Sequence, residues 1–254
     1  MKWKEEPARF WERCLITDEK MWELHAGGVN RQNTRMRAAS ASEVPPMEKD
    51  QYPQKVHVWG GISANGLSEL IFLEHSVDGN AYRKLLSNQM QNIKTLFPVW
   101  ELMIFEDDWA HAHTAKESIA FKEQNFPNFF RTRLVDQENH FFAPSKMDDL
   151  WPIERIWRHL VNIVFSKWPL PGTVAEWKSR IQDAWDSVST ELCIRLIHEI
   201  PARLHEISRN QGKKIHPTWR SKNSEHRCRC SVCCDDDDEE FEMMLLELND
   251  DLDC

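Results

Sequence analysis

Leu102-Met103-Ile104-Phe105-Glu106-Asp107-Asp108 runs four apolar residues straight into three acids. A continuous apolar run of that length reads as a buried strand. The acids at its end mark where the chain leaves the core. In open α/β sheets, sites gather at such strand ends. Arg13-Cys14-Leu15-Ile16-Thr17-Asp18 has the same form, a short buried strand ending in an acid. Asp18 and Asp108 are therefore both expected at strand ends.

Working outward, Lys55 to Ser63 is a strand candidate, Asn65-Gly66 a hairpin turn and Ser68 to Leu73 the return. Met21-Trp22-Glu23-Leu24 alternates and is expected to form a separate strand. Residues 25–54 are polar, with Gly27-Gly28 and Pro45-Pro46, and read as loop. Asn80 to Phe97 carries a helical stripe of Tyr82, Leu85, Leu86, Ile93, Leu96 and Phe97. Thr114-x-x-Glu117 has the form of a capping box, which predicts a helix start near residue 115. Asn128-Phe129-Phe130 and His140-Phe141-Phe142 are each strand-like. Pro152 suits the first position of a helix whose stripe is Ile153, Ile156, Trp157, Leu160 and Val164. Val174, Trp177, Ile181, Ala184, Trp185 and Val188 mark another helix. Leu192 to Ile207 makes a third, broken at Pro201. Strands come first, helices last, and a strand–helix alternation lies between them. That is an α/β pattern, a mixed sheet flanked by helices. Residues 1–12 read as an exposed lead-in, and periodicity ends near Gln211.

The 254 residues suffice for a large core. No apolar run approaches the roughly 18 residues of a membrane span. Met1-Lys2-Trp3-Lys4-Glu5-Glu6 lacks the apolar core of a signal peptide. Five of the seven Cys lie after residue 227, so no disulfide framework runs through the fold and a reducing compartment is expected. The net charge of −9 is unevenly placed. Residues 235–254 hold eleven acids and no Lys or Arg; the chain before them holds 32 basic and 30 acidic residues, a balance of +2. Residues 203–229 carry eight Lys/Arg against two Glu. A polyanionic partner is thus compatible with the composition.

Three acid-bearing segments stand out: Leu15-Ile16-Thr17-Asp18-Glu19, Phe105-Glu106-Asp107-Asp108-Trp109-Ala110-His111-Ala112-His113-Thr114-Ala115, and Asp149-Leu150-Trp151-Pro152-Ile153-Glu154-Arg155-Ile156-Trp157. In this order they resemble the catalytic core of mariner-like (Tc-type) DDE transposases. Val58-Trp59-Gly60-Gly61-Ile62-Ser63 is similar to a strand motif between that family's first two acids, and Arg209-Asn210-Gln211-Gly212 to the end of its core. The resemblance covers roughly residues 10–215. It implies an RNase H-like fold with Asp18, Asp108 and Glu154 as catalytic residues and ligands of two Mg2+ or Mn2+ ions. Three carboxylates suit that chemistry, since paired divalent cations activate the attacking oxygen and stabilise the leaving one. The resemblance further implies DNA as partner, self-assembly around DNA ends and a nuclear location.

Strand alternation puts Glu106 and Asp108 on one face and Asp107 on the other, which makes Asp107 the poorer ligand. Glu154, in a first helical turn, also complements the helix dipole without any metal. The chain departs from the family at Trp109 and Trp151, where the family has Asn; Trp offers no capping oxygen. The 45 residues between Asp108 and Glu154 exceed the family's usual spacing. Only 17 residues precede Asp18, so the usual helix-turn-helix modules are not expected within this sequence. His113 matches a family His, and packing or capping near a helix start is favoured over contact with metal or DNA. Trp157, Trp177 and Trp185 read as core. Trp109 is the exception, since an exposed aromatic there offers a base a face to stack on.

The expected organisation is a lead-in over 1–12, a DDE catalytic domain over 13–212, a basic Cys/His-rich linker over 213–234 and an acidic disordered tail over 235–254. His226-x-Cys228-x-Cys230-x-x-Cys233-Cys234 is compressed relative to paired zinc knuckles, and Zn2+ is not expected at 226–234. The tail's acidic-hydrophobic mixture allows a protein partner. The first functional expectation is metal-dependent DNA hydrolysis and strand transfer by an intact, truncated or degenerate copy. The alternative is a catalytically inactive, co-opted scaffold that binds nucleic acid or chromatin.

Overall fold

A computed structural model of the chain describes residues 8–24, 40, 54–74, 76–131, 141–142, 149–211, 213 and 215. The expectations for the 25–53 loop, for most of the 132–148 stretch, for Gly212 and for the Cys/His linker and acidic tail lie outside them, apart from isolated residues.

Among the described residues, a seven-stranded mixed sheet organises the fold. Its long central strand is β1 (Cys14–Leu24). On one side β2 (Gln54–Ser63) runs antiparallel to it, in register from Ile16 opposite Ile62 to Leu24 opposite Gln54. The short strands β3 (Gly66–Leu67) and β4 (Ile71–Leu73) both pair antiparallel with β2. On the other side β5 (Ile104–Glu106) runs parallel to β1, β6 (Asn128–Arg131) parallel to β5, and β7 (Phe141–Phe142) parallel to β6.

Alternation along the central strands feeds two cores. Cys14 and Ile16 of β1, Val58 of β2 and Ile104 of β5 point to one face. That face is covered by α1 (Ala8–Trp11), α5 (Pro152–Ser166), α6 (Val174–Asp186), α7 (Thr190–His198) and α8 (Ile200–Arg209). Leu15, Trp59 and Phe105, one residue on in each strand, point to the other face. There they meet α2 (Gly79–Thr95), α3 (His111–Thr114) and α4 (Lys116–Asn125). A 3₁₀ turn over Trp100–Leu102 leads into β5.

Four sequence-based expectations are corrected. Cys14–Leu24 is one strand, not two, because β2 pairs with it through the polar Glu19-Lys20 step. Asp18 is thus the fifth of eleven residues in β1, not its last. The supposed lead-in is anchored: Phe10 and Trp11 are 2% and 0% exposed and belong to the larger core, with α1 against α7 and α8. The return over Ser68–Leu73 is interrupted, since the Ser68 hydroxyl accepts from Gly61 N–H and its carbonyl accepts from Trp185 Nε1. The Thr114 box does not form. A turn of α3 intervenes, so the Thr114 hydroxyl donates to the Ala110 carbonyl and Ala115 precedes α4 without a side-chain cap. The complete capping box lies instead at Thr173 and Glu176 of α6.

Gly60 sits opposite Asp18 in the β1–β2 ladder. A Cβ there would lie 2.5 Å from Trp185 Cη2 and 3.3 Å from Trp157 Cη2. The two indoles stack at 5.3 Å across this bare stretch of backbone. Gly60→Ala is therefore expected to lower stability by about 1–3 kcal/mol, the usual range for overpacking. A urea unfolding midpoint equal to that of the unsubstituted chain would show that the indoles yield without cost.

Candidate active site

The parallel β1–β5 pairing stops at Ile16 opposite Glu106. The Thr17 hydroxyl bonds the Glu106 carbonyl at 2.8 Å and closes that end of the pair. Asp18 follows, where β1 continues and β5 has ended. Its parity with Ile16 turns it toward the α5 face. Trp157 Nε1 of α5 donates to Asp18 Oδ2 at 2.8 Å. Burial pushes the Asp18 carboxyl up to about 7, and the charge of Glu154 pushes the same way, with a smaller push from Asp108; bonds from the Glu19 backbone and Trp157 act against them.

Glu154 lies in the first turn of α5, three residues before Trp157. No N-cap oxygen holds this helix entry, as the Trp151 substitution implies. Packing and backbone hold it instead. Pro152 starts the helix, Glu154 N–H reaches the Trp151 carbonyl at 3.3 Å, and the Trp151 ring lies 6.2 Å from that of Trp11.

Asp108 stands two residues beyond β5, and its side chain is 57% exposed. Its Oδ1 accepts from Ala110 N–H at 2.9 Å and faces His113 Nδ1 at 2.5 Å. His113 Nε2 faces Glu19 Oε1 at 3.4 Å, and His57 stands 3.4 Å from the other Glu19 oxygen. Burial alone would pull His113 down, but its bonds to Asp108 and Glu19 outweigh it and hold the imidazole up at about 10. Burial likewise pulls Asp108 up, and the hydrogen bond and charge of His113 outweigh it, holding the carboxyl below its ordinary range. Both shifts favour the charged form of the partners in this contact.

Asp107, past the end of β5, turns inward to Lys122 and Tyr82, so its side-chain partners and not strand alternation set its direction. Glu106 is buried as well, and burial holds its carboxyl well above the usual range. Asp18, Glu154 and Asp108 therefore stand near enough for the charges of the last two to be felt at the first. Among the described residues, no group of three His, Cys, Asp or Glu side chains is found that could hold one metal ion; Trp157 engages Asp18, and His113 engages Asp108.

Sequence reasoning missed three participants. His113 was favoured as a packing or capping residue, yet it grips Asp108 directly. Trp157 is core as expected, at 1% exposure, and its N–H in addition donates to Asp18. Glu19 was passed over, yet it supplies the second partner of His113. The signal for Trp157 was present, because residues three apart on a helix share a face and Glu154 precedes it by three. Trp109 is 42% exposed beside Asp108, as its reading as a stacking face requires.

One pH effect follows from Asp18. Its folded pKa is raised to about 7 against roughly 3.9 in an unfolded chain. The stability this group contributes is present below the unfolded value and is lost as pH rises through about 7. Asp18→Asn cannot ionise. In EDTA its melting temperature should exceed that of the unsubstituted chain by several degrees at pH 8, and by less at pH 5. An equal difference at both values would contradict the buried, like-charged setting of Asp18.

No protein-family model matches the chain. It is 27% identical over 205 residues to the Tc3 transposase of Caenorhabditis elegans, covering 81% of this chain and 58% of the relative. With the Tcb2 transposase of Caenorhabditis briggsae it shares 25% identity over 158 residues, covering 62% and 52%. The chain thus spans between half and three-fifths of the length of these curated relatives. Among solved structures, the catalytic domain of Mos1 mariner transposase superposes with a TM-score of 0.58 at 16% identity, covering 82% of this chain and 86% of that one. The Mos1 paired-end complex with Mg gives 0.64 at 18%, covering 85% and 59%; another such complex holds the left transposon end. At these identities the structures speak for the fold, an RNase H-like mixed sheet with flanking helices. Over about 81% of its length, then, the chain is homologous to the catalytic part of the Tc1/mariner transposases.

Proposed function

We propose that the chain is a DDE-type catalytic domain that cleaves DNA phosphodiesters and transfers strands, with Asp18, Asp108 and Glu154 holding Mg2+ or Mn2+. One observation carries this reading. Burial first, then the charge of Glu154 and more weakly that of Asp108, raise Asp18 to about 7, so carboxylates of like charge meet in a half-buried place where a divalent cation would relieve them. The donor set consists of carboxylate oxygens, which suit hard cations. When bound, such cations activate the attacking oxygen and stabilise the leaving one. The chain's own residues do the rest. Trp157 orients Asp18 from α5, His113 orients Asp108 while carrying a proton, and Trp109 presents an exposed ring beside the reacting backbone. The relatives' names, transposases of transposable elements, support DNA as substrate, and such a substrate would call for a nuclear location.

A second reading is a catalytically inactive scaffold that binds nucleic acid. It is favoured by the contact between His113 Nδ1 and Asp108 Oδ1 at 2.5 Å, which already engages that carboxylate. Nicking of supercoiled plasmid in Mn2+ separates the two. The enzyme reading expects nicked circles that disappear in Asp108→Ala. DNA retention without any nicking above a buffer control selects the scaffold.

A further inference from the structure

Three acids follow one another at the end of β5, and one of them reaches solvent. Glu106 and Asp107 are 2% and 4% exposed, whereas the Asp108 side chain is 57% exposed. Asp107 is held inward from two helices. Lys122 Nζ of α4 donates to both of its oxygens, at 2.9 and 2.7 Å. The Tyr82 hydroxyl of α2 donates to Oδ2 at 2.5 Å. The Lys122 and Asp107 side chains are each 3% exposed, and Tyr82 is fully buried. The same tyrosine reaches Asp108 by another route, because its ring centroid lies 4.0 Å from that of His113, the imidazole that grips Asp108.

A buried ion pair is a poor device for stability alone, since apolar side chains of similar volume often serve as well or better. What the pair does fix is direction. Asp107 and Asp108 are neighbours on a segment that has left the sheet ladder, so no strand register dictates which one faces outward. Binding Asp107 at both oxygens fixes the intervening peptide and leaves Asp108 on the open side.

We propose that Lys122, Tyr82 and Asp107 form a positioning clamp that selects Asp108, out of three consecutive acids, as the carboxylate presented to divalent cations. The inference rests on the reading of Asp108 as a metal ligand. Lys122 and Tyr82 touch neither substrate nor cation; they act through Asp107 and His113. The clamp turns a run of interchangeable acids into one defined ligand.

The test is Mn2+ affinity by calorimetric titration of the full chain, with the melting temperature followed in parallel. Lys122→Met leaves Asp107 buried without its cation and is expected to lower both quantities. Lys122→Met with Asp107→Leu removes the unpaired charge and should recover the melting temperature. If the clamp positions Asp108, Mn2+ affinity stays about 10–100-fold weak in this double variant, the usual penalty for losing the partners that orient a ligand. Recovery of affinity together with melting temperature overturns the clamp. Should the double variant not fold, Tyr82→Phe decides on the same measure: it loses one hydroxyl, keeps its ring and is expected to weaken Mn2+ binding about tenfold. Unchanged affinity there overturns the clamp. An unsubstituted chain that takes up no Mn2+ at millimolar concentration removes the ligand reading of Asp108 itself, and the clamp with it.

Discussion

The hydrogen bond from Trp157 to Asp18 joins the two halves of the proposed site. It links the middle of the central strand to the helix that carries Glu154. Glu154 and Trp157 lie three apart on α5, so fixing the indole fixes the rotation of the helix and with it the face on which Glu154 stands. The indole is itself fixed. It stacks on Trp185 of α6, and both rings lie over Gly60, where a side chain would collide with them. Gly60 in turn faces Asp18 across the β1–β2 ladder. The glycine, the two indoles and the acid form one mechanical unit, and displacing any member disturbs the others.

Around that unit the protein sorts charge by burial. Acids outnumber cations at this end of the sheet, and the buried ones are handled one by one. Asp107 is neutralised by Lys122, Glu106 is held toward its protonated form by burial, and Asp108 is balanced by His113. Asp18 has its proton affinity raised first by burial and then by the like charges of Glu154 and Asp108. The electrostatic tension of the site is concentrated there, on the residue whose position is mechanically best defined.

The strands and helices were largely legible in the sequence because each has a strong local signal. The apolar run before Glu106, the Asn65-Gly66 turn, Pro152 and the helical stripes of α2, α5 and α6 all became the elements they announced. Errors arose where pairing or packing overrode local character. Asp18 looked like a strand end, but the β2 ladder carries the strand past it to Leu24. Phe10 and Trp11 looked like part of a lead-in, but α7 and α8 provide a surface for them. Thr114 looked like a cap until a turn of α3 consumed it. The acid-bearing segments were legible through their order. Their partners were less so: spacing puts Trp157 on one helix face with Glu154, but its bond to Asp18 spans 139 residues, and His113 meets Asp108 across a turn that only the fold supplies.

Because Asp18 is seated inside an eleven-residue strand and not in a loop after it, its neighbour Glu19 necessarily points to the opposite layer, where it meets His57 and His113. Adjacent acids thus serve different chambers of the molecule. A residue lost between Cys14 and Thr17 would move Glu19 into the place beside Trp157, whereas one gained there would move Asp18 into the place that faces the histidines. The reading frame of one strand, more than the identity of any single acid, determines which carboxylate works and which supports.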